Sequence, residues 1–306
     1  MSPDTPAGPE ITRADVARYH DELSNWGRWG DDDQLGALNH ITADHTRAAA
    51  ASVTTGVTVS LSRPLPTKVG PENPDPVVHE MLRAAVDGGS ADSITVAPHG
   101  YATTHIDALC HINGERLYNG YPIDTVTAQG ATELGIHSLA DGVVTRGVLL
   151  DVARHRGLDW LEPGDPVGPD ELAEVAAGAG VEIGAGDLLV VRTGRWARSE
   201  AEGPWAPSDG LAGLHASCLP WLHERRVAAL GSDGVSDVIP SGVDGVRLPI
   251  HHVAIVAIGL HLFDNLELEP LATACADHDR WTFLITVAPL VLLGGTGSPV
   301  NPIAVF

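Results

Sequence analysis

The chain has 306 residues, 43% of them hydrophobic, which is enough for a sizeable core in one large domain or two small ones. Forty acidic residues against 18 basic ones leave a formal charge of −22, which repels nucleic-acid phosphates and anionic lipid and so argues against nucleic-acid and membrane partners. Lys68 is the single lysine and sits in the proline-rich stretch RPLPTKVGPENPDP, which removes most of the case for Schiff-base or P-loop chemistry. Cys110, Cys218 and Cys275 form no CxxC pair, and their odd number fits a reducing compartment. The opening MSPDTPAGPEITRADVARYHDE has no apolar core of a signal peptide, and the longest apolar run, TFLITVAPLVLL, is too short to span a bilayer. The expectation is a soluble cytoplasmic protein.

Residues 10–23 and 42–53 read as helices, the second capped by Thr42. VTVSLSRPL (57–65) alternates like a strand, 64–77 reads as a loop, and SITVAP (93–98) is strand-like. GVVTRGVLLDVA (142–153) has the pattern of a buried strand. GPDELAEVAAGAGV (168–181) has a start signal, a helical body and a glycine stop. GDLLVVRTG (186–194) and RVAALGSD (226–233) read as strands, LPIHHVAIVAIG (248–259) as an apolar helix closed by Gly259, and LHLFDNLEL (260–268) and TFLITVAPLVLL (282–293) as strands. This alternation predicts one α/β domain with a mixed sheet over 56–306, preceded by a helical arm over 1–55.

Chemistry concentrates in HGYATTHIDALCH, residues 99–111. If a strand ends near residue 106, His105 and Asp107 point the same way, because side chains alternate with period two. A helix starting at about Asp107 would set Asp107 and His111 on one face at i and i+4. The three then converge at a strand-to-helix junction, a nitrogen and oxygen set suited to Zn²⁺ or Mn²⁺. The same residues also fit an aspartate helix cap with two core histidines. Cys110 beside His111 raises a Cys–His nucleophile, but helix neighbours do not face each other, and packing is the commoner fate of such a cysteine. No G-x-S-x-G elbow is present, and GGTGSP, from Gly294, lacks the GK[ST] of a phosphate loop.

THIDALCH resembles the H-x-D-x-x-x-H core of the cyclase family that includes bacterial kynurenine formamidase and isatin hydrolase. NWGRWGDDDQLGALNHIT (25–42), RLYNGYP, RGVLLDVARHRG, GDLLVVRTGRW and the ending GGTGSPVNPIAVF are similar to motifs of the longer members, in the same order. The resemblance implies an α/β swivelling β/β/α fold with flanking helices, assembled as a homodimer or homotetramer. It also implies a metal-dependent hydrolase of small cyclic or aryl amides, lactams or lactones. Carried over, it makes His105 and Asp107 ligands of one divalent ion, Mn²⁺ or Zn²⁺, makes His111 the catalytic base, and completes the site with His252 and Asp264, twelve residues apart. Trp26, Trp29 and Asn39 are candidate substrate contacts; the two tryptophans also fit arm docking.

Two positions depart from the family pattern. Asp264 stands where the formamidases have glutamate, and Tyr101 stands where metal-binding members have histidine. Three alternatives are open for the second: His99 substitutes as ligand, Tyr101 ligates or bonds a metal-held water, or the metal is weak or absent. With metal, His111 serves as general base and Tyr101 as donor to the developing oxyanion. Without it, tyrosine, histidine and aspartate form the acid–base set of a metal-independent cyclase, dehydratase or isomerase.

Overall fold

A computed structural model describes residues 10–86 and 88–306; the rest of the expected N-terminal arm, residues 1–9, lies outside the described residues. The strands used below are β1 (Thr58–Ser60), β2 (Val78–Val86), β3 (Gly89–Thr95), β4 (His105–Asp107), β5 (Val143–Asp151), β6 (Leu188–Arg192), β7 (Ala229–Ser232), β8 (His261–Asp264), β9 (Thr282–Val287), β10 (Gly297–Pro299) and β11 (Ile303–Val305). The helices are α1 (Arg13–Glu22), α2 (Ala43–Ala51), α3 (Pro169–Gly178), α4 (Arg195–Glu202), α5 (Cys218–Glu224), α6 (Pro249–Val253) and α7 (Glu269–Asp277).

Nine strands form one mixed sheet in the order β1-β11-β9-β5-β6-β7-β8-β4-β10. Its centre, β5-β6-β7-β8, is parallel. Runs such as LLVVR in β6 are buried at every position, as strands with both faces covered must be. β9 alternates half-buried and buried residues, so one face is less covered than the other. β8 pairs antiparallel with β4, and β4 with β10, so the sheet changes from parallel to antiparallel at the β8–β4 boundary. Among the described residues no helix is long and apolar enough to cross a membrane.

The predicted α1 and α2 form where their caps dictate. Thr12 accepts the backbone N–H of Asp15 while Asp15 accepts that of Thr12, and Thr42 and His45 make the same reciprocal pair. α1 packs on α6 and the turn after it, and α2 on β5 and β9. The junction between them enters the core through two glycines. The N–H of Ala37 donates to the carbonyl of Gly259 at 2.7 Å. Gly36 has φ +59, and a Cβ there would overlap that carbonyl. Gly259, at φ +70, closes the helix as expected.

Four readings change. The helix expected from Asp107 is absent: β4 runs through Asp107 and the chain then turns, with the N–H of His111 on the carbonyl of Ala108 at 2.9 Å. The helix over 248–259 is α-helical only to Val253, and Ala254–Ile258 forms a π turn. The last apolar run ends as a strand at Val287; Leu290 to Leu293 lie in an exposed loop, Leu293 at 79%. HEMLRAAV, passed over in the sequence, forms β2, which pairs with β3 in a separate two-stranded hairpin whose Met81 and Leu82 face solvent.

Gly36→Ala is expected to cost about 2–4 kcal/mol, combining left-handed strain with overpacking. Gly56→Ala, at φ +74 with nothing within 4 Å, should cost only about 1 kcal/mol. Urea unfolding of the two variants checks the difference; equal midpoints would remove the arm–core contact as the cause.

Candidate metal centre and active site

The parallel-to-antiparallel boundary assembles the site. Asp264 ends β8 directly opposite His105 on β4, and Asp107 lies two residues along the same strand. Period-two alternation therefore sets His105 and Asp107 on one face, as the spacing predicts. All three are buried, and His105, Asp107 and Asp264 each offer a ligand atom within 4.8 Å of the others.

A second group, His99, Asp107 and His111, shares Asp107. His99 Nδ1 lies 2.9 Å from Asp107 Oδ1, and the rings of His99 and His111 stack at 3.7 Å and 5°. His99 Nε2 meets Thr296 Oγ1 at 2.9 Å. Gly100, at φ +140, provides the backbone bend beside His99, and Gly297 leaves room for its ring, since a Cβ there would sit 2.6 Å from it. Tyr101 lies elsewhere. Its hydroxyl accepts from Arg247 at 2.8 Å and its carbonyl from Arg195 at 2.6 Å, and it makes no hydrogen bond to the carboxylates.

The later histidine is His251 rather than His252. His251 Nε2 lies 3.3 Å from Asp264 Oδ2 and 3.7 Å from Asp107 Oδ2. His252, its neighbour on α6, points off this face and is only half-buried, near His20. The expected separation of twelve residues becomes thirteen, and the added residue falls in the π turn, which holds one more residue than an α turn.

The imidazoles are fixed from behind. His105 Nδ1 donates to the carbonyl of Thr103 at 2.8 Å, which leaves the Nε2 lone pair facing the carboxylates. His251 Nδ1 meets Asp237 Oδ2 at 2.6 Å, and Asp237 also accepts the N–H groups of Ile250 at 2.7 Å and His251 at 3.1 Å. Asp237 closes SDGVSD (232–237), a stretch that its place after a strand suggests as a pocket loop. His261 Nδ1 meets the carbonyl of Asp107 at 2.9 Å and steadies the backbone of β4's last residue.

Asp107 Oδ2 and Asp264 Oδ1 are buried with no hydrogen-bond partner, and Asp107 Oδ1 and His99 Nδ1 meet only each other, at 2.9 Å. Neighbouring histidines outweigh burial and hold the Asp107 carboxyl well below its usual range. Burial opposes protonation of His251, but Asp264 and Asp237 outweigh it and lift its pKa well above normal. The cluster thus draws positive charge inward. Converging carboxylates and oriented imidazoles with orphaned atoms fit a divalent cation. His111 differs: burial pushes it down to about 4, leaving it neutral near pH 7 with a free ring lone pair. Its side chain and that of His99 are 26% and 25% exposed, against 1–5% for His105, Asp107, His251 and Asp264.

Cys110 is buried and pushed up to about 11 by burial, as for a packing residue. Trp26 Nε1 donates to the carbonyl of Val256 at 2.7 Å, Trp29 meets His40 edge-on at 5.0 Å, and Asn39 Nδ2 donates to Asp33 Oδ1 at 2.7 Å. These contacts dock the arm, and none joins the three residues to the cluster.

Asp237→Asn is expected to weaken Zn²⁺ or Mn²⁺ uptake about 10–100-fold by freeing the His251 ring. His251→Ala should reduce uptake further, whereas His252→Ala should match wild type. Metal titration of the three variants checks this, and equal losses for His251 and His252 would contradict the assignment.

The model of the family described as putative cyclase matches residues 34–237. A search of curated proteins finds no match. A solved structure described as a novel cyclase is 34% identical, with 94% of this chain and 99% of that chain covered at TM-score 0.84. Isatin hydrolase A from Ralstonia solanacearum is 22% identical, with 86% and 97% covered at TM-score 0.59. A predicted metal-dependent hydrolase from Bacillus stearothermophilus is 14% identical, with 82% and 98% covered at TM-score 0.52. The last two share the fold. With its family model spanning most of the chain and a 34%-identical structure aligned over nearly all of it, the chain belongs to the cyclase family.

Proposed function

We propose that the chain is a metal-dependent hydrolase of a small cyclic or aryl amide, lactam or lactone. One Mn²⁺ or Zn²⁺ would be held by His105, Asp107, His251 and Asp264, with His99 at its accessible side. The observation that carries this reading is the set of orphaned oxygens on Asp107 and Asp264, buried beside oriented imidazole nitrogens. Membership of the cyclase family and the shared fold of isatin hydrolases support it.

When bound, the cation supplies Lewis acidity toward a carbonyl and toward water. The chain's own groups do the rest. His111, neutral and on the exposed side, takes a proton from the attacking water at Nε2. It then returns that proton to the leaving nitrogen or oxygen as the acyl bond breaks. Stacked His99, tied to Thr296, holds the His111 ring in place. A flat substrate suits the shared fold of the isatin hydrolases and the stacked faces of His99 and His111.

We also propose a homo-oligomer in which a second copy covers the β2–β3 hairpin and the loop at Leu290 to Leu293. An isolated two-stranded hairpin is marginal in water, and its edges are open to further pairing. Residues 281–306 carry no charged side chain, so the loop at Leu290 to Leu293 adds no like-charged pair to such a contact. Leu82→Glu together with Leu293→Glu should convert the assembly to monomers by light scattering; a wild-type monomer at micromolar concentration would sink the idea.

Elemental analysis of protein purified without added metal should find about one manganese or zinc per chain. His111→Ala should keep that metal and lose about 10²–10⁴ in turnover of isatin or an aryl formamide, whichever the wild type hydrolyses. No metal, and none taken up on titration, would overturn the hydrolase reading; unchanged turnover in His111→Ala would overturn the base.

A further inference from the structure

His99, His105 and Asp107 lie on one stretch of chain and Asp264 on another, and one fully buried side chain joins the two. Asn265 follows Asp264 directly and is 0% exposed. Its N–H donates to the carbonyl of Gly234 at 2.7 Å, and its carbonyl accepts the hydroxyl of Thr104 at 2.7 Å. Its Oδ1 accepts from Arg195 Nη1 at 2.6 Å. Its Nδ2 donates to the carbonyls of Gly100 at 2.9 Å and Thr103 at 3.0 Å. The same Thr103 carbonyl accepts from His105 Nδ1 at 2.8 Å. Asn265 thus shares one acceptor with the His105 ring and holds the residue next to His99.

The residue type follows from these partners. They call for an acceptor facing a guanidinium and two donors facing carbonyls, all on one short side chain. A carboxylate lacks the donors, and an aliphatic group lacks both kinds of atom. The backbone has φ 57 here, a left-handed conformation that asparagine tolerates and most residues resist. A carbonyl oxygen has two lone pairs, so Asn265 and His105 together fill that of Thr103. The bond from Asn265 fixes the direction of this carbonyl. The bond from His105 Nδ1 then leaves His105 Nε2 facing Asp107, 3.4 Å from Oδ1.

We propose that Asn265 is a positioning residue of the cation site: its Nδ2 group aims the His105 ring and holds the bend that carries His99. This rests on the reading of the cluster as a divalent-cation site. Arg195, buried and bonded to both Asn265 Oδ1 and the carbonyl of Tyr101, fixes the amide in turn.

The test uses the full chain and two readouts. One is affinity for Zn²⁺ or Mn²⁺ by titration. The other is the proton NMR signal of the His105 ring N–H in metal-free protein, identified by its loss in His105→Gln. Asn265→Gly suits the left-handed backbone and removes the whole amide. Asn265→Asp keeps the bond to Arg195 and loses only the donors; it also decides the matter if the glycine variant fails to fold. Its added charge would by itself favour a cation, so weaker uptake isolates the lost donors. Both variants should bind metal about 10–100-fold more weakly than wild type. Both should shift and broaden the ring signal. Phe283→Leu, a buried change on β9, provides a destabilised chain with the site intact and should match wild type in both readouts. An unchanged ring signal in the Asn265 variants would overturn the proposal whether or not wild type takes up metal, whereas a wild type that takes up neither ion would overturn the cation reading. Wild-type affinity in the variants, or an equal loss of affinity in Phe283→Leu, would also overturn the role of Asn265.

Discussion

A carboxylate removed from water must be met by donors or by a cation, and this fold buries four of them where β7, β8 and β4 meet: Asp107, Asp233, Asp237 and Asp264. Two are met by the chain itself. Asp233 accepts the N–H groups of Thr193, Gly194 and Arg195 and the hydroxyl of Thr193 at 2.7–3.2 Å, at the start of α4. Asp237 does the same at the start of α6 while gripping His251. Asp107 and Asp264 are left with orphaned oxygens facing each other's histidines. The division of labour is physical: satisfied carboxylates build the scaffold, and unsatisfied ones define where positive charge must go.

The scaffold reaches the site through hydrogen bonds rather than apolar packing alone. Arg195, held at the head of α4, donates to Asn265 Oδ1 at 2.6 Å and to the carbonyl of Tyr101. Asn265 Nδ2 donates to the carbonyls of Gly100 at 2.9 Å and Thr103 at 3.0 Å. The segment carrying His99 and His105 is thus pinned at three carbonyls, next to the last residue of β8. Open α/β sheets bind ligands beyond the carboxyl ends of their strands, and here β7 and β8 deliver Asp233 and Asp264 to that edge.

Much of this was legible in the sequence. Alternation set His105 and Asp107 together, the threonine caps marked α1 and α2, and buried apolar runs marked the parallel strands. Other features obeyed rules that local patterns do not express. HEMLRAAV carries good helix formers, yet pairs as a strand, because cross-strand partners decide a hairpin. α5, CLPWLHE, and α7, EPLATACAD, have no side-chain cap, so no start signal marks them in the sequence. Which of two adjacent histidines faced inward depended on a π turn, and His99 joined the site through a bend at Gly100; neither is visible in spacing. Asp237 could have been suspected only from its place after a strand.

The π turn at Ala254–Ile258 has a consequence for how the site could change over time. One residue of an α-helix corresponds to about 100° of rotation. Losing a single residue from this turn would restore an ordinary helix and swing α6 about its axis. His251 would then leave the carboxylates, and His252 would rotate toward them. The paired histidines make the helix tolerant of such a slip, since either register brings an imidazole to the same place. A one-residue change in this turn would therefore trade one imidazole for its neighbour instead of removing it.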